Sequence, residues 1–278
     1  MTEGFFSFSV LTHKGWAIPR IVFQIFPIGD LHIESMSQSN IFANYLNLRT
    51  EQLIVLLGDV IHFANSFWNP SAGQMSRAEM LRNLDKDISI WEDFIARLKV
   101  HTIYYMGSHE QFVLRVKRKF LPSRKLNLAN KFVYVPKDLQ LIQIGSRSEP
   151  LFLTGLHIPD NMHPVKSEES LQRKKKIEKW IEKKIRILKI PEPKKTILCT
   201  HDPCDSFYRN MGYHGLTQML ERWVFKTHYH AHIHSNIRQT LIGETPSINR
   251  SFVALSKLDP QALEPSTSEI QPLYGRDI

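Results

Sequence analysis

The stretch LIVLLGDVIH, residues 53–62, runs five apolar residues directly into a glycine and an aspartate. A short apolar run of this kind predicts a buried β-strand that ends at Gly58, with Asp59 just beyond it. The stretch IVFQIFPIGDLH, residues 21–32, has the same pattern, and its apolar run leads into a glycine, Asp30 and a histidine. We therefore predict two strands that deliver acidic and imidazole side chains to the end of a sheet.

An apolar run followed by Asp, Glu, Ser or His residues recurs further along the chain. It occurs in HTIYYMGSHE (residues 101–110), in TILCTHDP (196–203) and before AHIH (231–234). Between these stretches, residues 76–98 and 167–188 carry apolar residues at helical spacing. Strands that alternate with helices indicate an α/β fold in which helices cover a sheet.

Three short apolar runs lie close together in the middle of the chain, at residues 132–135, 139–144 and 151–154. This close spacing predicts antiparallel or mixed pairing in a second sheet. From residue 260 onward the chain has several Pro, Ser and Thr residues and little periodicity, which predicts a loose tail.

The pieces GDLH, GDVIH, GSHE, and THDP with AHIH supply Asp and His residues in a fixed order. Two close divalent cations need one bridging carboxylate and several imidazoles, so this set predicts a dinuclear metal site. On an extended strand end, Asp30 and His32 would point to the same side and could share one ion. Asp59 could place one carboxylate oxygen on each ion. One such residue alone is more often a turn residue or a helix cap, but the ordered set favours metal binding.

This order of D-x-H, G-D, G-S-H-E, H and A-H-x-H resembles the signature of the calcineurin-like metallophosphoesterases across residues 21–258. The resemblance implies the metallo-dependent phosphatase fold, an α/β four-layer αββα sandwich with two mixed β-sheets and the metals at the strand ends. We expect an N-terminal extension at residues 1–20, a metallophosphoesterase domain at 21–258 and a C-terminal tail at 259–278.

The resemblance also assigns roles to individual residues. One divalent ion would be bound by Asp30, His32, Asp59 and His234, and the second by Asp59, His201, His232 and Ser108. The two ions would be Mn²⁺, or alternatively Fe, Zn, Ni or Co, and a hydroxide bridging them would attack the phosphorus. Besides Asp59, the catalytic residue would be His109, which lies over the phosphate in the family and protonates the leaving group.

Two positions depart from the family pattern. Ser108 stands where the family has Asn, so the carboxamide oxygen for the second ion is missing and a water would have to replace it. Ala231 stands where Gly precedes the paired histidines, which matters only if φ is positive there. The expected function is a metal-dependent phosphoesterase, foremost a phosphodiesterase. The sequence leaves the substrate open among the family's classes, which are nucleic acids, nucleotides, phosphoproteins and lipid-linked diphosphates. The alternative is a non-catalytic or weakly active binding protein on the same fold.

The other histidines of these stretches need separate treatment. His228 and His230 alternate with the paired histidines, and on a strand all four would face the same way, but the family pattern selects only the last two. His62, His157 and His214 lie near the site-forming loops and could contact a phosphate, although a structural role is more common for each.

The chain has a formal net charge of +9, and its basic residues concentrate at residues 115–125 and 166–195. A solvated basic surface is the commoner explanation, and contact with nucleic acid is the alternative. No apolar stretch reaches the roughly 20 residues of a membrane span, and the N-terminal residues lack the pattern of a signal peptide. Two cysteines, Cys199 and Cys204, form no disulfide framework. We therefore expect a cytoplasmic protein, and the sequence leaves its oligomeric state open.

Overall fold

The computed structural model describes residues 24–51, 53–62, 76–128, 130–144, 149–158, 168–187, 190, 192–206, 212–234 and 239–252. These residues form strands and helices that alternate along much of the chain. The elements are β1 (Ile25–Ile28), α1 (Met36–Asn47), β2 (Leu53–Leu56), α2 (Arg77–Arg97), β3 (Thr102–Tyr104), α3 (Ser108–Phe120), β4 (Val133–Tyr134), β5 (Ile142–Gln143), β6 (Phe152–Leu156), α4 (Glu168–Ile187), β7 (Thr196–Thr200), α5 (His214–Arg222), β8 (Thr227–His230), β9 (Gln239–Ile242) and β10 (Thr245–Asn249).

The strands form two sheets. The first has the order β1-β2-β3-β4, and every pair in it is parallel. The second has the order β5-β6-β7-β8-β10-β9, in which β6, β7, β8 and β10 are parallel and the edge strands β5 and β9 are antiparallel to their neighbours.

The expectation of two mixed sheets was therefore wrong for the first sheet. A helix follows each of its strands β1, β2 and β3, and a helical crossover returns the chain in the same direction. The run at residues 132–135, expected in the second sheet, contributes β4 to this first sheet for the same reason.

Alternation along the strands builds the layers. In β2, Leu53 and Val55 face the second sheet, where Ile197 of β7 is among their neighbours. The intervening Ile54 and Leu56 face the core shared with α1, α2 and α3. A third apolar cluster lies between the second sheet and helices α4 and α5. The four-layer αββα arrangement expected from the sequence is confirmed.

Helices α1 and α3 and strands β9 and β10 were not predicted. Helix α1 begins after Ser35, whose hydroxyl accepts a hydrogen bond from the Gln38 backbone N–H. Helix α3 buries Phe112, Val113 and Val116, but Arg115 and the basic residues at 117–119 weaken the apolar signal. Polar residues in these short helices and strands thus obscured the apolar pattern from which they could have been predicted.

The chain beyond β10 connects the two sheets. The Gly29 backbone N–H donates to the Arg250 carbonyl at 3.0 Å, and the Arg250 N–H donates to the His230 carbonyl at 2.7 Å. Residues 249–252 thereby hold the end of β1 beside the end of β8. This pairing brings the loops that follow the two strands together.

Some expectations fall outside this description. Residues 1–20 and 259–278 lie outside the described residues, so the domain boundaries remain a prediction.

Cys199 and Cys204 are both buried and are not joined by a disulfide. In the described ranges we find no helix with the length and apolarity that a bilayer crossing requires.

Candidate metal centre

Two groups of Asp and His side chains meet where strands of both sheets end. Within each group, the candidate ligand atoms all lie within 4.8 Å of one another. The first group is Asp30, His32 and His234, and the second is Asp59, His201 and His232. The structure thus brings together all six Asp and His residues that the sequence suggested as metal ligands.

The contacts of His201 show which of its nitrogens faces the centre. Its Nδ1 lies 2.8 Å from the Leu57 carbonyl oxygen, and because a carbonyl only accepts, Nδ1 carries a hydrogen. Its Nε2 lies 3.0 Å from Asp59 Oδ2 and 2.9 Å from His232 Nδ1. Burial would lower the pKa of His201, but the Asp59 carboxylate raises it well above its usual range. The converging lone pairs therefore favour a positive charge at this point, supplied by a proton or by a cation.

Asp30 links the two groups. Its Oδ2 accepts a hydrogen bond from the His232 backbone N–H at 2.7 Å. Its Oδ1 is buried, accepts no hydrogen bond from the described residues, and lies 3.6 Å from His234 Nε2 and 3.8 Å from His32 Nε2. A buried carboxylate oxygen without a donor is uncommon, and its position among imidazoles suits a ligand to a cation. Burial would raise the pKa of Asp30, but the surrounding histidines, His234 above all, lower it to about 2.

Four of the candidate ligands have a left-handed backbone. The φ angles are +56° at Asp30, +46° at His32, +48° at Asp59 and +67° at His232. Each such residue costs roughly 1–2 kcal/mol relative to the right-handed region, and such strain gathers at functional sites. The expected geometry of an extended strand end was therefore wrong, because β1 stops at Ile28 and left-handed turns aim the side chains of Asp30 and His32.

Glu110, for which the sequence pattern predicted no role, holds the loop that carries Asp59. Its fully buried carboxylate accepts hydrogen bonds from the backbone N–H groups of Asp59 (2.9 Å), Val60 (2.7 Å), Ile61 (3.3 Å) and Gly107 (2.8 Å). It therefore ties the loop after β2 to the start of α3. Its position directly after His109 in GSHE was the only signal in the sequence.

Ser108 and His109 both contact the Asp59 carboxylate. The Ser108 hydroxyl donates to Asp59 Oδ2 at 3.0 Å, and the His109 backbone N–H donates to Asp59 Oδ1 at 2.8 Å. The His109 ring places Nδ1 3.1 Å from the Ile61 carbonyl and Nε2 3.8 Å from Asp59 Oδ2. Nδ1 therefore carries a hydrogen, and Nε2 is the atom that faces the centre.

Close packing explains why alanine is accepted before the paired histidines. Ala231 is fully buried and is not among the described residues with positive φ. A Cβ added to Gly29 would lie 2.6 Å from the Ala231 Cβ. The methyl group at position 231 thus fits because position 29 has no side chain.

The end of strand β8 divides the four histidines into two pairs, one on the strand and one beyond it. His228 is buried on the strand, with Nε2 2.8 Å from Thr200 Oγ1 and Nδ1 2.9 Å from Ser247 Oγ. The strand ends at His230, and the left-handed turn at His232 redirects the chain toward the centre. The two upstream histidines are buried in the second sheet and belong to neither ligand group, although His230 is close enough to Asp30, His201 and His232 to interact with them electrostatically.

The structure places His157 and His214 in contacts of other kinds. His157 Nδ1 accepts from the Met106 N–H at 2.9 Å, and its Nε2 donates to the Pro136 carbonyl at 2.7 Å, so both nitrogens hold backbone. His214 opens α5 with a largely exposed side chain, and its Nδ1 lies 3.1 Å from Asp205 Oδ2. Neither histidine belongs to the two ligand groups.

Changing Ser108 to Asn is expected to tighten binding of an ion at the group of Asp59, His201 and His232. The carboxamide would add an oxygen beside Asp59, where the present hydroxyl is committed to the carboxylate. We expect roughly a tenfold lower Kd for the weaker site, since changes around metal ligands shift affinity by about 10–100-fold. Calorimetric titration of chelator-treated protein measures this, with Ser89→Asn on α2 as the matched control. Equal affinity of both sites in the parent protein would count against the prediction.

Comparison with known proteins gives only distant structural likeness. No family model matches the chain, and no curated protein matches it. A phosphopantetheinyl hydrolase from Mycobacterium tuberculosis is 13% identical, with a TM-score of 0.49, over 87% of this chain and 93% of that one. A dimetal phosphatase from Danio rerio is 15% identical, with a TM-score of 0.46, over 82% of this chain and 87% of that one. Likeness at this level assigns neither a family nor an activity to the chain.

Proposed function

We propose that this chain is a divalent-metal-dependent phosphoesterase of the calcineurin-like metallophosphoesterase family, and foremost a phosphodiesterase. The observation that carries the proposal is the pair of adjacent ligand groups, joined by the hydrogen bond from the His232 N–H to Asp30. The mixture of imidazole and carboxylate donors suits Mn²⁺, Fe, Zn, Ni or Co, of which we favour Mn²⁺. A cytoplasmic location is part of the same proposal.

The residues present fit a pair of cations. Asp30 Oδ1 is a buried oxygen without a donor, and His201 Nε2, His232 Nδ1 and Asp59 Oδ2 converge. Asp30, His32 and His234 would hold one ion, His201 and His232 the other, and Asp59 would contact both. When bound, such ions supply positive charge that polarises a phosphoryl oxygen and acidifies water near neutral pH.

The protein itself orients the proton donor. The Ile61 carbonyl fixes His109 Nδ1, so the ring presents Nε2 to the centre. His109 would deliver a proton from Nε2 to the oxygen of the leaving group as the phosphoester bond breaks. The Ser108 hydroxyl and the His109 N–H hold the Asp59 carboxylate in place during this step.

A metal-supplemented activity screen tests this function. The substrates are bis-p-nitrophenyl phosphate, p-nitrophenyl phosphate and nucleotides, each with Mn²⁺, Zn²⁺, Ni²⁺ or Co²⁺ added to chelator-treated protein. We expect turnover of the diester with Mn²⁺, and loss of that turnover in Asp59→Ala. Activity no higher than that of Asp59→Ala with every metal would reject the enzyme.

The second candidate function is a non-catalytic binding protein on the same fold. The observation in its favour is that the Ser108 hydroxyl is hydrogen-bonded to Asp59 and brings no carboxamide oxygen to the second group. The same screen separates the two functions. Metal binding without turnover would favour the binding protein.

The fold places basic residues of α4 near the loop that carries His201. Lys174 Nζ lies 5.8 Å from the centre of the Tyr213 ring, and the Tyr213 N–H donates to the Pro203 carbonyl within that loop. Lys175 and Lys176 are exposed on the same part of the helix. These charges could guide a polyanionic substrate such as a nucleic acid.

Other basic residues are already paired. Arg124 contacts Asp85 and Glu92, and Lys184 contacts Asp138 at 2.9 Å. These two cations are therefore less available to a polyanion. The first half of α4 is the basic surface that we propose for the substrate.

Binding of single-stranded DNA or RNA is expected to weaken steeply with salt. Each neutralised phosphate releases counterions and contributes about −0.7 to the slope of log K against log salt. Fluorescence anisotropy with labelled oligonucleotides, with chelator present, measures this slope. The double change Lys175→Glu and Lys176→Glu should reduce it, whereas the exposed pair Lys194→Glu and Lys195→Glu, before β7, serves as the charge-matched control. Equal binding by both double variants would favour a small phosphoester substrate.

A further inference from the structure

His62, three residues beyond Asp59, lies beside the candidate ligand His32. The two Nδ1 atoms are 3.4 Å apart, and the ring centres are 5.5 Å apart at an interplanar angle of 66°. The backbone sets this approach, because Ile33 and Ile61 form a parallel bridge and the His62 N–H donates to the Ile33 carbonyl at 3.1 Å. The pairing of the loops after β1 and β2 therefore fixes both imidazoles.

The tautomers of His32 and His62 follow from the atoms that each ring nitrogen faces. Its Nε2 is directed to the first group, 3.8 Å from Asp30 Oδ1. A neutral imidazole that binds a cation through Nε2 carries its hydrogen on Nδ1, and a ligand histidine usually donates that hydrogen to a fixed acceptor. Here the facing atom is His62 Nδ1. If His62 accepts at Nδ1, its hydrogen lies on Nε2, which is 3.7 Å from Glu34 Oε1. Donation from His32 to His62 thus leaves the His62 Nε2 hydrogen facing the Glu34 carboxylate, at a distance that allows electrostatic attraction but no direct hydrogen bond.

We propose that His62 is a positioning residue that holds His32 for the first metal ion, with Glu34 orienting His62 in turn. This inference rests on the proposed metal centre and adds a residue that the family pattern did not select. Its effect on chemistry is indirect, since His62 acts through His32.

A direct ligand role for His62 is the competing arrangement. His32, His62 and His109 also place candidate ligand atoms within 4.8 Å of one another. A third ion there would need His32 Nδ1 as a ligand while Nε2 faces the first ion, which requires a doubly deprotonated ring. This requirement favours positioning over a third ion.

The test is calorimetric titration of Mn²⁺ into chelator-treated protein for the parent chain, His62→Phe, His62→Gln and Glu34→Gln. We expect His62→Phe to weaken one of two sites by about 10–100-fold, the usual effect of removing a partner of a ligand histidine. His62→Gln should restore most of the affinity, because its side-chain oxygen can accept from His32 Nδ1. Glu34→Gln should weaken the same site by a smaller factor. His101→Phe is the matched control, because His101 is a half-buried histidine just before β3, at the end of the strand away from the candidate centre.

A second measurement separates positioning from general damage to the fold. In a His32→Ala background, His62→Phe should change Mn²⁺ affinity by less than twofold, because the residue through which it acts is gone. An undiminished effect in that background would overturn the proposal, as would equal affinity of the parent and His62→Phe. Binding of three ions by the parent protein would overturn it in favour of a direct ligand. If the parent protein binds no ion at all, the proposed metal centre itself is wrong. Glu34→Gln alters a partly exposed side chain, so its result decides the matter should His62→Phe fail to fold.

Discussion

Asp59→Asn is expected to lower phosphoester hydrolysis by about a thousandfold and to leave the fold intact. The carboxylate faces His201, Ser108 and His109, so it is the charge around which the proposed centre is built. Metal assistance contributes several kcal/mol to such reactions, and each 1.4 kcal/mol is about tenfold in rate. Asparagine keeps the size of the side chain and tolerates the left-handed φ of +48°, so the backbone need not move.

The measurement is kcat/KM on bis-p-nitrophenyl phosphate at saturating Mn²⁺, together with thermal melting in chelator. Asp85→Asn is the control, because that carboxylate is about half exposed and pairs with Arg124 on the surface. Activity of Asp59→Asn within tenfold of the parent chain would show that this carboxylate does not organise the reaction.

Glu110→Ala is expected to lower the free energy of unfolding by about 3–5 kcal/mol, the range seen when one partner of a buried charged interaction is removed. Burial and the charge of Asp59 raise the pKa of Glu110, and four backbone N–H groups offset that penalty. Alanine would leave all four donors buried without an acceptor, and each such donor costs about 1–3 kcal/mol before relaxation.

Urea denaturation in chelator measures this loss without any contribution from bound metal. Glu110→Gln should lose less than Glu110→Ala, because one side-chain oxygen still accepts from two of the four donors. Asp85→Ala removes a carboxylate that is about half exposed and pairs with Arg124, so it should change stability by less than about 1 kcal/mol. A loss below 1 kcal/mol in Glu110→Ala would mean that water or another group satisfies these N–H groups.

Strands β1, β2 and β3 could be predicted because each apolar run ends at a glycine, so the run and its end both indicate a short buried strand. The run ending at Gly58 is fully apolar, and the glycine that ends it has a φ of +86°. The alternation of strands with helices predicted an α/β fold with a helix-covered sheet, whereas the four-layer αββα arrangement was implied by the resemblance to the calcineurin-like metallophosphoesterases. The parallel first sheet could not be predicted from short runs, since strand direction depends on crossovers such as α3, whose basic residues conceal its apolar face.

The candidate ligands could be selected from the order of their motifs and its resemblance to the family signature. Their geometry could not be predicted. Nothing in the sequence shows that Asp30 and His32 turn left-handed, because a positive φ at a non-glycine residue arises from surrounding contacts. The role of Glu110 was equally hidden, since its partners Asp59, Val60 and Ile61 lie 49 to 51 positions away in the chain.

The left-handed backbone at Asp30, His32, Asp59 and His232 sets stability against the proposed metal binding. At roughly 1–2 kcal/mol each, the four residues together hold several kcal/mol, a sizeable share of the 5–15 kcal/mol that keeps a domain folded. Glycine relieves this strain at any of these positions, so the backbone strain taken alone favours replacement of the candidate metal ligands. Engineering of a more robust form of this protein should therefore exclude these four positions from the library and seek its gains on the outer helices.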